Sequence, residues 1–221
     1  AAPGLGGRGA RVVDLTAGPL ARGIVLFALP LLGAALIQLL YSTVDLMFVG
    51  HVLGTGAAAA VGASGLVVTC LVGIFTGLGT GTGVLIAGHF GAGRHNEVER
   101  VMHTALTFGL AGGLVLIPVM IALAPALMAR LGTPPEIVPS AVVYLRIYLL
   151  GLVSVVLFNM GSGVLRALGD SLTPMRCQLV GGVVNVLVDA LFIVVLRWGI
   201  GGAAVATLLS QTLAAGLVLL A

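Results

Sequence analysis

The sequence predicts an all-α membrane protein with six transmembrane helices, and three observations support this prediction. Of the 221 residues, 59% are apolar and only 8% are charged, whereas soluble domains have about 45–50% apolar and about 25% charged residues. The mean hydropathy is +1.22. The apolar runs lack the polar–apolar alternation of membrane-barrel strands. These observations exclude a soluble globule, and the few charges give nucleic-acid binding no electrostatic basis.

Six apolar runs follow a tail rich in glycine, alanine and arginine, and each run is long enough to cross a bilayer, which takes about 20 residues. We expect residues 1–22 to form the tail and 23–221 to form one six-helix unit. Helices are predicted because open strand edges cannot exist in lipid. The chain lacks an initial methionine and ends inside an apolar run, so we expect part of a longer protein. The runs cover about 23–50, 57–88, 98–129, 137–168, 175–196 and 200–221.

The arginines predict a cytoplasmic N-terminus in the cell membrane. In that orientation the outer loops carry only Arg130 and Arg197, and the positive-inside rule is obeyed. Arg146 lies within the fourth run. It is either a cation that faces the membrane interface or a loop, or a group with a role in transport. The cytoplasmic tail and loops then carry seven arginines: Arg8, Arg11, Arg22, Arg94, Arg100, Arg166 and Arg176.

Glycine supplies 34 residues, and a cluster in the second run predicts close helix packing. The pairs Gly77/Gly81 and Gly79/Gly83 have the small-xxx-small spacing that lets helices approach each other in lipid. A dinucleotide-binding loop is excluded, because that motif needs a preceding strand and a soluble βαβ unit.

Two acidic residues, Asp45 and Asp189, lie inside the apolar runs. An ionisable residue at membrane depth costs about 2.5–3.5 kcal/mol on insertion scales and usually faces a cavity or a partner. Counting about 1.5 Å per residue from the outer loops places both acids, and Thr207, roughly 12–13 Å deep. Asn185 precedes Asp189 by four residues and shares its helical face. We therefore predict a cage of oxygen atoms.

Two carboxylates in a low-dielectric cavity cannot both stay ionised without a counter-charge. The cage is therefore predicted to take up a proton or to hold a cation. Neutral oxygens from Asn185 and Thr207 are ligands that suit sodium, and the choice between H⁺ and Na⁺ stays open. The alternative is a pair of acids that are hydrogen-bonded for helix packing.

Other chemistries find little support in the sequence. The spacing of His89, His95 and His103 matches no zinc-binding pattern. No nucleophilic side chain is expected at the same membrane depth as a base that could activate it for hydrolysis. We therefore expect neither an enzyme nor a cofactor. Pro30 lies in the middle of the first run and predicts a kink, either static or acting as a hinge. Polar residues within the runs more often form hydrogen bonds between helices than contact a substrate.

Four stretches resemble the N-terminal six-helix lobe of the multidrug and toxic compound extrusion (MATE) transporters, and most nearly their DNA-damage-inducible F-type branch. The stretches are ALPLLGAALIQLLYSTVDLMFVG, GTGTGVLIAGHFGAGRHNEVER, LRALGDSLTPM and NVLVD. The resemblance implies one lobe of a twelve-helix transporter, in which two six-helix lobes enclose a central cavity. The C-terminal lobe is absent from this chain.

The resemblance also implies roles for individual residues. The residues implied to bind the coupling cation are Asp45, Asp189, Asn185 and Thr207. The first helix is implied to bend at Pro30. The implied cavity lining is Gln38, Tyr41, Asn159 and Gln211. Ser162 stands where relatives often have an asparagine, so a substrate contact is not carried over to it.

The leading hypothesis is a secondary antiporter that exports amphipathic or cationic organic compounds in exchange for H⁺ or Na⁺. Its expected partners are a small organic substrate, the lipid bilayer and the second lobe. One alternative is a lipid-linked oligosaccharide flippase of the same superfamily, which would need cations in its cavity. The other is a membrane assembly subunit without transport activity, in which the two acids only pair with another chain.

Overall fold

The computed structural model describes residues 20–221, and all regular structure in this part of the chain is helical. The all-α prediction is confirmed. The predicted tail lies outside the described residues up to residue 19, and residues 20–22 belong to the first helix. The helices are α1 Leu20–Leu53, α2 Thr55–Gly91, α3 His95–Arg130, α4 Val138–Leu150, α5 Leu152–Ala167, α6 Leu172–Asp189 and α7 Gly199–Leu219.

Five segments are each long and apolar enough to cross a membrane, one of them being α6 together with the residues up to Val195, and α4 and α5 taken together make a sixth. The fourth run was expected to be one helix, but it bends by 48° between α4 and α5. At the bend, the Gly151 N–H donates to the Tyr148 carbonyl at 2.9 Å, which closes a tight turn. A Cβ on Gly151 would lie 3.2 Å from the Tyr148 carbonyl oxygen and 3.5 Å from Leu208 of α7. The bend therefore lies in contact with α7, and its own turn is the tighter of the two contacts.

The fifth run also departs from a uniform α-helix. Directly after Asp189, residues Ala190–Val195 form a π-helix. The Leu196 N–H donates to the Leu191 carbonyl at 2.9 Å, five residues back. Such π segments are rare and occur often at functional sites.

Short connections place the helices in alternating directions. Gly54 alone joins α1 to α2, with φ +90, a backbone angle that glycine adopts without steric cost. We call the end of the bundle at Gly54 the upper end, and the end at the α2–α3 turn of residues 92–94 the lower end. The core lies between α2, α3, α4 and α5, around buried Met128, Leu145, Leu152 and Met160. Helix α1 packs on α6 and α2.

Glycine contacts hold α2 directly against α5. A Cβ on Gly79 would lie 2.8 Å from the Asn159 carbonyl oxygen, and one on Gly163 would lie 2.6 Å from the Gly79 carbonyl oxygen. A Cβ on Gly83 would lie 3.2 Å from the Gly163 carbonyl oxygen. Gly77 and Gly81 have open space instead. Close packing is confirmed for the Gly79/Gly83 pair and is wrong for the Gly77/Gly81 pair.

Arg146 faces outward and stabilises a proline site in α3. Its Nε donates to the Ile121 carbonyl at 3.3 Å. That carbonyl would accept from residue 125 in a regular helix, but Pro125 lies there and has no N–H to donate. Arg146 therefore supplies the hydrogen bond that the proline removes.

We predict that Gly79→Ala lowers the thermal unfolding midpoint in detergent, because overpacking at a tight contact costs about 1–3 kcal/mol. Gly81→Ala on the same helix is the control. It should unfold at the same temperature or higher, since alanine is favoured over glycine in a helix by about 1 kcal/mol. Equal midpoints for the two variants would contradict the close α2–α5 contact.

We predict that Arg146→Met destabilises the protein by about 1–3 kcal/mol, the usual cost of leaving a hydrogen-bond acceptor unpaired. In a Pro125→Ala background the same substitution should cost much less, because the introduced alanine N–H reaches the Ile121 carbonyl. Unfolding measured for both single variants and the double variant tests this. Additive effects would show that Arg146 does not act through the proline site.

Candidate functional site

A cavity of about 810 Å³ opens along α1, α2, α5 and α6, with walls from α4 and α7. It contains most of the residues proposed from the sequence. Asn185 and Asp189 lie behind its wall, almost fully buried. The sequence-derived residues that line it are Gln38, Tyr41, Asp45, Asn159, Thr207 and Gln211.

Asp45 on α1 and Asp189 at the end of α6 lie close enough for their carboxyl groups to interact. Asp45 is 8% exposed and Asp189 is 1% exposed. Oδ1 of Asp45 and both carboxyl oxygens of Asp189 have no hydrogen-bond donor within the described residues. Two ionised carboxylates can only accept hydrogen bonds. The pair therefore needs a proton or a cation between its oxygens.

Asn185 extends this set of buried polar atoms by one helical turn. It is 1% exposed, and both its amide nitrogen and its amide oxygen lack a partner in the described chain. Gly181 lies one further turn back along α6, where a Cβ would meet the Ala214 Cβ at 3.0 Å. This stripe of α6 therefore faces the interior of the lobe at close helix spacing.

Thr207 and Tyr144 complete the upper part of the site. The Thr207 hydroxyl donates to the Ala203 carbonyl at 3.1 Å, which leaves its oxygen free to accept. Tyr144 lines the same cavity as Thr207 and Asp45. Tyr144 was not predicted from the sequence, although its spacing of four residues from Tyr148 places both rings on one face of α4.

All three tyrosines of the chain line the cavity. The rings of Tyr144 and Tyr148 are stacked with centroids 6.4 Å apart. Tyr41 packs on Gly182 of α6, where a Cβ would lie 3.2 Å from its ring. The aromatic surface therefore runs from the acid pair along the cavity wall.

Asn159 is held in a fixed orientation. Its amide nitrogen donates to the Val155 carbonyl at 2.8 Å, and its amide oxygen accepts from the Thr76 hydroxyl at 3.0 Å. Thr76 also lines the cavity and was not identified from the sequence. Ser162, one turn further along α5, is 0% exposed and its hydroxyl has no partner in the described chain.

Arg166 was assigned to a loop, but it lies in the last turn of α5 and lines the cavity. Nothing in its position in the sequence indicated that its side chain faces the cavity.

Gln178 also lines the cavity, as Tyr41 does, and it was not predicted from the sequence. Arg146, which was considered for a transport role, faces outward, away from the cavity.

Pro30 is buried within α1, which continues as a helix on both sides of it. One turn further on, a Cβ on Gly33 would lie 2.9 Å from Met175 Sδ at the start of α6.

A metal site was also considered. Within residues 20–221, no group of three His, Cys, Asp or Glu side chains lies close enough together to hold a metal ion.

The comparison with protein families decides the assignment, because the MatE family model matches residues 30–191. The chain belongs to the MatE family. Its relatives in this family are transporters and not enzymes. The resemblance to MATE proteins is therefore confirmed, while the narrower assignment to the DNA-damage-inducible F-type branch stays a prediction.

This MatE chain spans about half the length of the curated relatives that it matches. It is 32% identical over 212 residues to the probable multidrug resistance protein YpnP of Bacillus subtilis, covering 92% of this chain and 46% of that protein. It is 25% identical over 197 residues to the multidrug export protein MepA of Staphylococcus aureus, covering 89% of this chain and 44% of MepA.

Solved structures show the same lobe. A MOP superfamily transporter from Pyrococcus furiosus superposes with a TM-score of 0.88 at 31% identity, covering 96% of this chain and 47% of that one. A MATE protein in the bent conformation gives a TM-score of 0.88 at 31% identity, covering 94% and 46%. Together with the six apolar spans, these matches establish the MatE chain as a multi-pass membrane protein.

We predict that water fills the cavity of the MatE lobe. In a Cys70→Ala/Cys177→Ala background, Gln178→Cys should react with a charged methanethiosulfonate reagent at least about tenfold faster than Val180→Cys, because thiolates form only in contact with water. Val180 is the control, since it is 44% exposed on the same helix but lies outside the cavity. Similar labelling rates at the two positions would contradict a hydrated cavity.

Proposed function

We propose that residues 23–221 form the N-terminal lobe of a secondary antiporter, which exports amphipathic or cationic organic compounds in exchange for H⁺ or Na⁺. Residues 1–22 are its cytoplasmic segment, of which the last three begin α1, and the C-terminal lobe belongs to the same transporter. The observation that carries this proposal is the buried Asp45–Asp189 pair beside a large cavity. No donor in the described residues reaches the facing carboxyl oxygens.

The acid pair can couple ion uptake to substrate release. A proton or a sodium ion neutralises the repulsion between the two carboxylates. Asn185 and Thr207 add neutral oxygens next to the pair, and these are donors that suit sodium. Because Asp45 also lines the cavity, uptake of the ion removes negative charge from the cavity wall. A cationic substrate is then held less tightly and leaves.

The aromatic wall supports an organic substrate. Tyr144 lines the cavity together with Asp45 and stacks on Tyr148, which lines the same cavity. Tyrosine rings bind cations through their faces, with about 0.5–2 kcal/mol for each contact. The cavity volume of about 810 Å³ falls in the usual range for small-molecule sites, about 300–1,000 Å³.

Helix α1 is proposed to bend at Pro30. Proline removes one helical hydrogen bond, and Asp45 lies on the same helix, fifteen residues further along. Related MATE structures exist in a bent and in a straight conformation. Bending of α1 would change how Tyr41 and Asp45 face α6.

The membrane orientation is also a proposal. The lower end of the bundle carries Arg22, Arg94 and Arg176, whereas the upper end carries Arg130 and Arg197. The positive-inside rule then places the lower end in the cytoplasm of a cell-membrane protein. The acid pair lies closer to the outer side, where an inward ion gradient supplies H⁺ or Na⁺.

Arg166 is the observation that favours a second candidate, a lipid-linked oligosaccharide flippase. Pyrophosphate needs cationic partners, and Arg166 lines the cavity. Asp45 lines the same cavity and would repel pyrophosphate, so we rank the antiporter first.

We predict that Asp45→Asn and Asp189→Asn each abolish gradient-driven efflux by the intact transporter, because neither variant can exchange an ion at the pair. Ethidium flux in proteoliposomes, driven in turn by a pH gradient and by a sodium gradient, tests this. Asp170→Asn is the control. Asp170 caps α6 away from the pair, and asparagine caps a helix as well as aspartate.

Wild-type flux that follows one gradient and is lost in both pair variants would identify the coupling ion. Flux that ignores both gradients and both substitutions would contradict antiport. Assays with a labelled lipid-linked oligosaccharide would then test the flippase.

A further inference from the structure

Two charged side chains line the cavity within the described residues, and they have opposite signs. Asp45 is the acid and Arg166 is the base. Helix α6 starts near Arg166 and ends at Asp189, beside Asp45, after 18 residues. At 1.5 Å per residue this corresponds to about 27 Å. The positive charge therefore lies at the lower end of the cavity, far from the acid pair.

Arg166 has no partner that explains its position. Its Nε is buried without a hydrogen-bond acceptor in the described chain. Within residues 20–221, no acidic side chain lies within 4.0 Å of the guanidinium. A buried N–H that is left unpaired costs about 1–3 kcal/mol, so a structural role alone accounts poorly for this arginine.

The nearest acid in sequence serves another purpose. Oδ1 of Asp170 accepts from the backbone N–H groups of Leu172 and Thr173, both at 3.0 Å. These two bonds cap the N-terminus of α6, and Pro174 at the third position has no N–H. The backbone N–H groups at residues 172–174 thus offer no free donor, and the guanidinium is the cationic donor that lines this end of the cavity.

We propose that Arg166 binds a carboxylate of the transported substrate and so determines which compounds this lobe accepts. A guanidinium offers a planar pair of N–H donors that matches the two oxygens of a carboxylate. Ser171, Pro174 and Met175 form the wall around it. This inference rests on the proposed export function and extends the substrate class to amphipathic zwitterions that carry a carboxylate.

The test compares two dyes that differ in one group, tetramethylrhodamine, which has a free carboxylate, and its methyl ester. Binding to the intact transporter is measured by fluorescence anisotropy in a non-ionic detergent, where no lipid phosphate competes. Arg166→Gln should weaken binding of the carboxylate dye about tenfold or more, as expected for a charged hydrogen bond. Binding of the ester should not change.

Two further variants control for charge and folding. Arg166→Lys keeps the positive charge and should retain part of the affinity for the carboxylate dye. Arg176→Gln makes the same charge change at an exposed position outside the cavity, and it should affect neither dye. Unchanged ester binding by Arg166→Gln shows that the variant is folded.

The inference is overturned if Arg166→Gln leaves binding of the carboxylate dye intact, or if it weakens both dyes equally. In that case, transport of the ester is measured as well. If an ion gradient drives this transport and Asp189 is required for it, the antiport proposal stands and only the role of Arg166 fails. Failure of the wild-type transporter to bind either dye would count against both proposals.

Discussion

The repulsion between the Asp45 and Asp189 carboxylates is the constraint on which the functional arrangement depends. Both groups are buried in a span of the bilayer, and the described chain offers their facing oxygens no donor. The lobe can place them together only if an ion or a proton joins them. Thr207 and Tyr144 line the cavity together with Asp45, and Asn185 lies one helical turn before Asp189 on α6.

Close helix packing makes that arrangement possible. Without a hydrophobic driving force in lipid, helices associate through small residues that let their backbones meet. Gly79 and Gly163 bring α2 against α5, and Gly182 lets the Tyr41 ring lie on α6. Each contact tightens one side of the lobe, and the space left along α1, α2, α5 and α6 is the cavity.

Much of the site could be predicted from the sequence, because depth in a membrane follows from counting residues. Asp45 and Asp189 were placed at one depth by the helical rise, and in the structure they lie close enough to interact. The orientation of Arg146 and Arg166 could not be predicted in this way. In a transmembrane helix the lipid-facing and core-facing sides are both apolar, so periodicity does not show which side a lone charge faces. The bend at Gly151 was missed for a related reason, since most glycines in this chain cause no bend.

Six membrane spans, with two acids at a shared depth, follow from the amino-acid sequence. Composition and length decide these features, because lipid admits only segments that satisfy their own backbone hydrogen bonds. The tertiary structure alone decided which polar groups meet. Tyr144 beside Thr207, Thr76 on Asn159 and Arg166 in the cavity wall all depend on which helices are neighbours and on their rotation. Those contacts join residues far apart in the chain, and local patterns carry no information about them.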